Sequence, residues 1–225
     1  MTVKEKIEFD PIDYDILDDK IISRCYQSYT LTKTTIEPSK TDVHDWVSTK
    51  HKMDVLQKVY DKVNPNTYMD FGSNLGALVF QMAQKDVYSI GVDYFQQYVD
   101  ICNKFKNHLK IENCEFICDT FDYFKTRSNI KPIDVISSFN VHHHLWGRTE
   151  QPQTLQNIND TFLKHCNHLL VEFPSQNDKK TKKHMREHPG LGEFSEAEFL
   201  KTIGKYKVEK VGQYAKDRPI YLISK

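Results

Sequence analysis

The sequence predicts an α/β protein built on a mostly parallel β-sheet that helices cover on both faces. From residue 67 onward, short apolar strands alternate with helical segments, the pattern of parallel strands joined by crossover helices. The chain then ends with two predicted strands, Tyr206–Val211 and Ile220–Ser224, that are only eight residues apart. A parallel crossover needs about a dozen residues or more. We therefore expect these last two strands to pair as an antiparallel hairpin.

The first part of the chain predicts helices. Its pattern favours a short helix over Ile16–Tyr26, and apolar side chains recur at helical spacing between Thr41 and Val63. The turn-forming residues 64–66 then end this second helix. We expect residues 1–63 to form a helical N-terminal extension that helps to bind the substrate, and residues 64–225 to form the main domain.

The alternation of strands and helices begins after this extension. The predicted strands are Thr67–Phe71, Tyr88–Asp93, Cys114–Cys118, Asp134–Phe139 and His168–Phe173. The predicted helices between them cover Ala77–Gln84, Phe95–Phe105 and Leu155–Cys166. Ser195 and Glu198 form a capping box that begins one more helix, and Gly204 ends it.

Composition limits the classes of protein to which the chain can belong. With 39% hydrophobic and 28% charged residues, it is expected to fold rather than remain disordered. Its 31 Lys and Arg balance its 31 Asp and Glu, which disfavours binding of nucleic acid through overall charge. The sequence contains no apolar run long enough to span a membrane and no signal-peptide core. Five cysteines without a C-x-x-C pair favour reduced thiols and a cytoplasmic location.

A glycine loop, Asp70-Phe-Gly72-Ser-Asn74-Leu-Gly76, follows the first strand of the alternation. Three of the eight glycines lie within 20 residues here, and glycine lets a ligand approach the backbone closely. In open α/β sheets, ligands bind beyond the carboxyl ends of the strands. Asp93 ends the next strand, where it can accept hydrogen bonds from two ribose hydroxyls. Asp119 follows the third strand, where it can accept one from an adenine amino group.

From Thr67 to Lys225 the sequence resembles the class I S-adenosylmethionine-dependent methyltransferases. The resemblance implies a Rossmann-like seven-stranded sheet with an antiparallel last strand, S-adenosyl-L-methionine as cofactor and S-adenosyl-L-homocysteine as product. The cofactor-binding residues that it implies are Asp70, Gly72, Ser73, Asn74, Gly76, Asp93, Tyr94, Asp119, Thr120, Phe121 and Asn140. Asn74 replaces the middle glycine of the family's frequent G-x-G-x-G. The alternatives are a loop that serves only as a tight turn and a nicotinamide dehydrogenase, which the missing G-x-G-x-x-G spacing disfavours.

Three consecutive histidines, His142, His143 and His144, follow the fourth strand of the alternation, whose exit faces the transferred methyl group in this architecture. A neutral imidazole can take the proton from a hydroxyl as the oxygen attacks the methyl carbon. An alcohol benefits from such a base, whereas an amine is already nucleophilic. Glu172 ends the fifth strand at the same rim, where it can orient a histidine or act as the base. For each histidine, packing in the core is the alternative.

The histidine run lacks the acids that a magnesium site needs. Small-RNA 2′-O-methyltransferases of this fold hold magnesium with a Glu-x-x-Glu-His set, whereas only Asn140 precedes the histidines here. The acid cluster of catechol-type enzymes is also missing from the sequence. We therefore predict that catalysis uses no metal ion.

Two segments outside the shared core are candidates for selecting the methyl acceptor. Aromatic rings can stack on a sugar or a base, and arginine can bind a carboxylate or a phosphate. The candidate substrate-binding residues are Arg24, Tyr26, Tyr29, Trp46, Trp146 and Arg148. For Tyr26 and Trp46, packing of the extension onto the core is the alternative. The second segment, Gln176–Phe194, is rich in lysine and forms either an anion-binding patch or a solvated helix.

The sequences F-N-V-H-H-H and V-E-F-P are similar to motifs of glycan O-methyltransferases, such as those that cap bacterial O-antigen chains. This second resemblance implies a sugar hydroxyl as the acceptor and a base that needs no metal. We predict an S-adenosylmethionine-dependent O-methyltransferase that acts on a glycan or small-molecule hydroxyl. One alternative is a methyltransferase that acts on a small RNA end or ribose. The other is a non-catalytic binding subunit with the same fold.

Overall fold

The computed structural model of the protein describes residues 14–17, 20–23, 27, 29–38, 45–127, 131–147, 153–173, 182, 185–187, 189–214 and 218–225. These residues form a small N-terminal sheet and a larger sheet that is packed between helices.

The N-terminal sheet lies where the sequence favours a helix. Its strands pair antiparallel in chain order, with the bounds Tyr14–Leu17 for β1, Lys20–Ser23 for β2, Tyr29–Leu31 for β3 and Ile36–Pro38 for β4. The predicted helix over Ile16–Tyr26 is therefore wrong. This run is short and contains several isoleucines, whose branched side chains favour strands when a partner strand is in reach. Leu17 of β1 pairs with Lys20 of β2, so the partner strand is next in sequence.

The larger sheet confirms the predicted fold class. Its strands are β5 (Thr67–Phe71), β6 (Tyr88–Asp93), β7 (Cys114–Cys118), β8 (Ile133–Phe139), β9 (Cys166–Glu172), β10 (Lys207–Tyr214) and β11 (Arg218–Ser224). Within the described residues, these seven strands lie in the order β10-β11-β9-β8-β5-β6-β7. The strands β5 to β9 are mutually parallel, and β11 pairs antiparallel with both β9 and β10. The short connection at the end of the chain thus forms the expected hairpin.

The helices connect and cover these strands. Their bounds are Asp45–Val63 for α1, Ala77–Ala83 for α2, Gln96–Leu109 for α3, Tyr123–Thr126 for α4, His142–Gly147 for α5, Leu155–His165 for α6 and Glu196–Ile203 for α7. Ser195 caps α7 as predicted, because its side chain accepts a hydrogen bond from Glu198 N at 3.2 Å. None of the described helices has the length and apolar composition needed to cross a membrane.

Each face of the larger sheet has its own hydrophobic core. Successive residues of a strand point to opposite faces, so Met69 packs with α5, α6 and α7 while Tyr68 packs with α1 and α2. At the centre of the first core, four aromatic rings contact one another with centroids between 5.3 and 5.8 Å apart. Most of these ring pairs meet edge to face, the arrangement that the charge distribution of aromatic rings favours. The four rings are those of Phe71, Phe121, Phe124 and Phe162.

The ring of Phe162 is fully buried and contacts all three other members of this cluster. Truncation in Phe162→Ala is expected to lower the free energy of unfolding by about 3–5 kcal/mol, because it removes buried area and leaves a cavity. The matched control, Val208→Ala on β10, truncates a side chain that is 36% exposed and should cost less than about 1 kcal/mol. Urea denaturation followed by fluorescence measures both, and equal losses would contradict this account of the core.

Candidate active site

The turn after β5 has a left-handed backbone at three positions. The φ angles are +83° at Gly72, +50° at Asn74 and +77° at Gly76. A Cβ atom on Gly72 would lie 2.5 Å from Val141 Cγ2, and one on Gly76 would lie 2.6 Å from Phe116 Cε1. Both the conformation and the close neighbours therefore require glycine at the first and last of these positions.

Asn74 occupies the middle position of the turn, where the resembled family often has glycine. Asparagine adopts the left-handed region more readily than most residues because its side chain can hydrogen-bond locally. Here Asn74 Oδ1 accepts a hydrogen bond from Leu75 N at 2.9 Å. The turn is also tied to β6, since Gly72 N and Ser73 N both donate to Val92 O at 2.7 and 3.1 Å. The replacement of glycine by asparagine thus preserves the left-handed turn.

Asp93, at the end of β6, holds the turn from the other side. Its Oδ2 accepts a hydrogen bond from Asn74 N at 2.8 Å, and its Oδ1 accepts one from Phe95 N at 3.0 Å. Burial raises the pKa of Asp93, while these backbone donors act in the opposite direction. The acid predicted to bind ribose therefore lies next to the glycine turn and shapes it.

Asp70, at the end of β5, is a buried acid in a short hydrogen-bond network. Ser137 Oγ donates to Asp70 Oδ1 at 2.6 Å and is also 2.6 Å from the hydroxyl of Tyr68. Burial raises the pKa of Asp70 to about 7, although the hydrogen bond from Ser137 and the charge of Lys52 both lower it. Asp70 therefore exchanges its proton near neutral pH, at the point where the glycine turn begins.

The groups around this turn fit S-adenosyl-L-methionine. Ser73 Oγ is buried and has no hydrogen-bond partner among the residues that the structure describes. A buried hydroxyl without a partner is costly, so a ligand at the turn is expected to supply one. The residues Asp70, Ser73 and Asp93 would hold the cofactor here.

Four further residues predicted to bind the cofactor, which are Tyr94 and the three expected beside adenine, differ in exposure. Tyr94 is 66% exposed, and Thr120 is also exposed. Asp119 accepts a hydrogen bond from Arg127 Nη1 at 2.7 Å, so an adenine amino group would share this carboxylate with arginine. Phe121 is buried in the aromatic cluster of the core. Of this predicted set, Tyr94 and Thr120 are therefore accessible to a ligand, whereas Phe121 is buried.

Glu172, at the end of β9, is fully buried and faces two cations. Arg218 Nη1 donates to Glu172 Oε1 at 3.2 Å and to Asn140 Oδ1 at 2.6 Å. Lys52 Nζ lies 3.7 Å from Glu172 Oε2, close enough for an ion pair but too far for a hydrogen bond. Within the described part of the chain, Glu172 Oε2 has no hydrogen-bond partner. Asn140, predicted to contact the cofactor, accepts this hydrogen bond from Arg218 and so also belongs to the group around it.

The three histidines form the start of α5, directly after β8, and differ in exposure. His142 is fully buried, His143 is half-buried and His144 is exposed. The rings of His143 and His144 lie 4.1 Å apart between centroids. Both nitrogens of the His142 ring face buried hydrogen-bond partners, so this histidine presents no nitrogen to a substrate. The structure thus makes His142 a core residue and leaves His143 and His144 as candidate bases.

The N-terminal sheet contacts the glycine turn directly. Tyr29, predicted to bind substrate, is fully buried, and its hydroxyl donates a hydrogen bond to Leu75 O. Gln27 Oε1 accepts a hydrogen bond from Ala77 N at 2.9 Å, which occupies a backbone donor at the start of α2. Gln84 Nε2, at the end of α2, donates to Thr32 O at 3.0 Å. The N-terminal extension therefore supports the glycine turn through these hydrogen bonds. Tyr29 is packed in the core and does not line a pocket.

The other predicted substrate-binding residues are either buried or outside the described residues. Trp146 is fully buried in the core, with its ring centroid 5.1 Å from that of Phe194, because α5 packs its apolar side against the sheet. Three of the predicted substrate-binding residues, Arg24, Tyr26 and Arg148, lie outside the residues that the structure describes. Trp46 belongs to α1, but its side chain is not described. Of the basic segment, Lys182 and Arg186 are described and exposed.

The sequence did not reveal the residues that form contacts between distant secondary-structure elements. Lys52 and Arg218 come from α1 and β11 and meet at Glu172, and Gln27 reaches α2 from the extension. No periodicity or local motif marks these three positions. The one available signal was Arg218 itself, a charged residue at the start of an apolar strand.

Comparison with known proteins gives a matching protein family and solved structures of similar fold. A family model described as a methyltransferase domain matches residues 63–215. The bifunctional kinase-methyltransferase WbdD is 14% identical, with a TM-score of 0.61, and the match covers 83% of this chain and 43% of WbdD. The chain thus spans about two fifths of the WbdD chains that it matches.

Two further solved structures contain S-adenosyl-L-homocysteine. Magnesium protoporphyrin IX methyltransferase from Synechocystis PCC 6803 is 15% identical with a TM-score of 0.59, covering 84% of this chain and 90% of that one. An O-methyltransferase from Bacillus cereus is 11% identical with a TM-score of 0.57, covering 84% of both chains. No curated protein sequence matches the chain.

A matched pair of glycines tests the turn. Both Gly72 and Gly192 have φ near +83°, but only at Gly72 would a Cβ meet another atom within 4 Å. Gly72→Ala is expected to weaken binding of S-adenosyl-L-homocysteine at least about tenfold, since the turn must move away from Val141. Gly192→Ala carries the same backbone strain and should leave that affinity unchanged. Calorimetric titration measures both, and equal affinities would contradict the assignment of the turn.

The raised pKa of Asp70 predicts how stability changes with pH. Between its ordinary value of 3.8 and about 7, the folded protein keeps a proton that the unfolded chain has released. The contribution of Asp70 to stability is therefore present at low pH and lost as the pH rises through about 7. From pH 5 to pH 7, wild type is expected to lose about 2 kcal/mol relative to Asp70→Asn. Urea denaturation at both pH values measures the difference in unfolding free energy between wild type and Asp70→Asn. Asp61→Asn, on the exposed side of α1, is the control and should show no such change with pH. The same difference for Asp70→Asn at pH 5 and pH 7 would contradict the prediction.

Proposed function

The chain belongs to the methyltransferase-domain family, whose model matches residues 63–215, and we propose that it methylates a hydroxyl group of a sugar or glycan. It is an S-adenosyl-L-methionine-dependent methyltransferase. The proposal concerns the acceptor and the residues that act on it. It includes a base that works without a metal ion.

The observation that carries the proposal is a carboxylate oxygen of Glu172, Oε2, that has no hydrogen-bond partner among the described residues. Because Lys52 and Arg218 face the same carboxylate, the charge of Glu172 is compensated although the side chain is fully buried. Its Oε1 accepts from Arg218, whereas its Oε2 accepts no hydrogen bond among the described residues. A hydroxyl group is a neutral donor that fits such an oxygen. Because Glu172 Oε2 is closed to solvent, an acceptor hydroxyl would reach it beside the exit of β8 as Lys52 Nζ, 3.7 Å away, moves aside, and Glu172 would then orient that hydroxyl.

The proton of that hydroxyl needs a base. His143 and His144 begin α5 next to this exit, and both have part of their surface exposed. A neutral imidazole of either residue would take the hydroxyl proton while the oxygen forms its bond to the methyl carbon. When bound, the cofactor supplies a methyl group on a positively charged sulfur, which leaves as a neutral thioether. Most of the rate enhancement would come from holding the reacting groups in line.

The choice of a glycan rests on the resemblance of the F-N-V-H-H-H and V-E-F-P motifs to glycan O-methyltransferases. In this sequence these motifs contain His142–His144 and Glu172, which the fold brings to neighbouring strand ends. The similarity of fold to the O-methyltransferase from Bacillus cereus agrees with oxygen as the acceptor atom.

A transfer assay tests the proposal. Protein and S-adenosyl-L-methionine with a labelled methyl group are incubated with oligosaccharides, RNA oligonucleotides and peptides side by side. Label is expected in an oligosaccharide, in a form stable to mild alkali, because a methyl ether resists the hydrolysis that removes methyl esters. Transfer should persist in the presence of a chelator. Label only in RNA or peptide would contradict the glycan acceptor, and activity that magnesium must restore would contradict a metal-independent base.

Variants of the same assay test the residues. Glu172→Gln and at least one of His143→Ala and His144→Ala are expected to lower kcat by about 100-fold or more. Each should bind S-adenosyl-L-homocysteine as wild type does, which separates loss of the base from loss of the cofactor. His108→Ala, an exposed histidine at the end of α3, is the matched control and should retain full activity. Full activity in all three variants would contradict these roles.

A further inference from the structure

The buried histidine of α5 lies in a series of hydrogen bonds that joins four elements. His142 Nδ1 is 3.1 Å from Ser138 Oγ on β8, and His142 Nε2 is 3.1 Å from Asn159 Oδ1 on α6. Asn159 Nδ2 donates to Thr202 Oγ1 on α7 at 2.7 Å, and Thr202 Oγ1 donates to Phe199 O at 2.7 Å. We call these four side chains the His142 series.

The end of the series fixes the direction of every hydrogen bond in it. Thr202 gives its only hydroxyl proton to Phe199 O, so its oxygen must accept from the amide nitrogen of Asn159. The amide oxygen of Asn159 then faces His142, which must donate from Nε2. In the neutral ring, Nδ1 then carries no proton and accepts from Ser138. The imidazole therefore has one tautomer, with its proton on Nε2.

The surroundings of the ring keep this tautomer neutral. Ser138, His142 and Asn159 are all fully buried. The His142 ring stacks on Phe162, with 5.6 Å between centroids, and meets Phe199 edge-on at 5.8 Å. Burial lowers the pKa of His142 to about 4, although the hydrogen bond to Asn159 raises it. A serine, a histidine and an amide in this order resemble a nucleophilic triad, but here no member reaches solvent.

We infer that His142 is a positioning residue, which holds α5 in place so that His143 and His144 meet the acceptor at a fixed angle. This inference rests on the proposed function, in which one of those two histidines takes the hydroxyl proton. In this role His142 does not touch the acceptor and affects the reaction only through the position of His143 and His144.

The short length of α5 is the reason that it needs such an anchor. It has only six residues, too few for a helix to be stable by its own hydrogen bonds. Its first residue is His142, whose two ring nitrogens tie it to β8 and α6. Its other end is held by the fully buried Trp146. These two anchors set the position of the half-buried His143 and the exposed His144, which lie between them.

Imidazole nitrogen NMR on the full-length protein tests the series directly. In ¹⁵N-histidine-labelled protein near pH 7, His142 is expected to show a protonated Nε2 and an unprotonated Nδ1, with the signals assigned by their loss in His142→Gln. Thr202→Ser keeps the hydroxyl and should leave the spectrum unchanged. Thr202→Val keeps the shape but removes the hydroxyl, which frees the Asn159 amide to turn. A proton on Nδ1 in wild type would overturn the series.

Two readouts separate positioning from simple packing. In Thr202→Val, the ring signals of His143 and His144 are expected to shift or broaden, because the loosened His142 no longer holds α5 in one position. The kcat for methyl transfer should fall about tenfold while the KM for S-adenosyl-L-methionine stays within about twofold of wild type. A lower melting temperature with unchanged kcat and unchanged His143 and His144 signals would overturn the inference.

Failure of this inference can be told apart from failure of the proposed function. If wild type methylates no oligosaccharide, the proposed function fails, whereas the NMR experiment requires no acceptor. The tautomer of His142 and the response of His143 and His144 then still decide whether His142 holds α5.

Discussion

One close approach organises the site: the side chain of Val141 lies against Gly72, where no Cβ atom would fit. Gly72 belongs to the turn that would hold the cofactor, and Val141 leads directly into α5. The turn that would hold the cofactor and the start of α5, which carries the proposed base, are therefore in van der Waals contact through the backbone of a glycine.

Charge is the second constraint, and it joins distant parts of the chain. Glu172 is fully buried, and burial of a carboxylate is costly unless cations and hydrogen bonds compensate it. Lys52 and Arg218 do so from the first helix and the last strand. The overall balance of charge in the sequence thus hides local pairings that the fold builds at one edge of the sheet. These pairings fasten the N-terminal helix and the C-terminal hairpin to the parallel strands between them.

The sequence predicts those features that depend on local pattern. The strands β5, β6 and β7 have the predicted bounds, because short apolar runs flanked by turn residues define them. The hairpin of β10 and β11 follows from a connection too short for any other pairing. The N-terminal strands were missed because their short, isoleucine-rich pattern suits a helix as well, and pairing between strands decides the outcome. Packing in the core was an open alternative for each histidine, but which of the three is buried could not be predicted, and neither could the burial of Tyr29 and Trp146. A polar or aromatic side chain looks the same in sequence whether it faces a pocket or a core partner.

The contacts of Gln27 and Tyr29 with the turn would couple the N-terminal sheet thermodynamically to a cofactor bound there. Gln27 occupies a backbone donor at the start of α2, and Tyr29 donates to the carbonyl of Leu75 within the turn. A ligand that stabilises this turn also stabilises the docked state of β3, and linkage requires the reverse effect to be equal in size. Docking of the N-terminal extension and binding of the cofactor would then be cooperative, so that each favours the other.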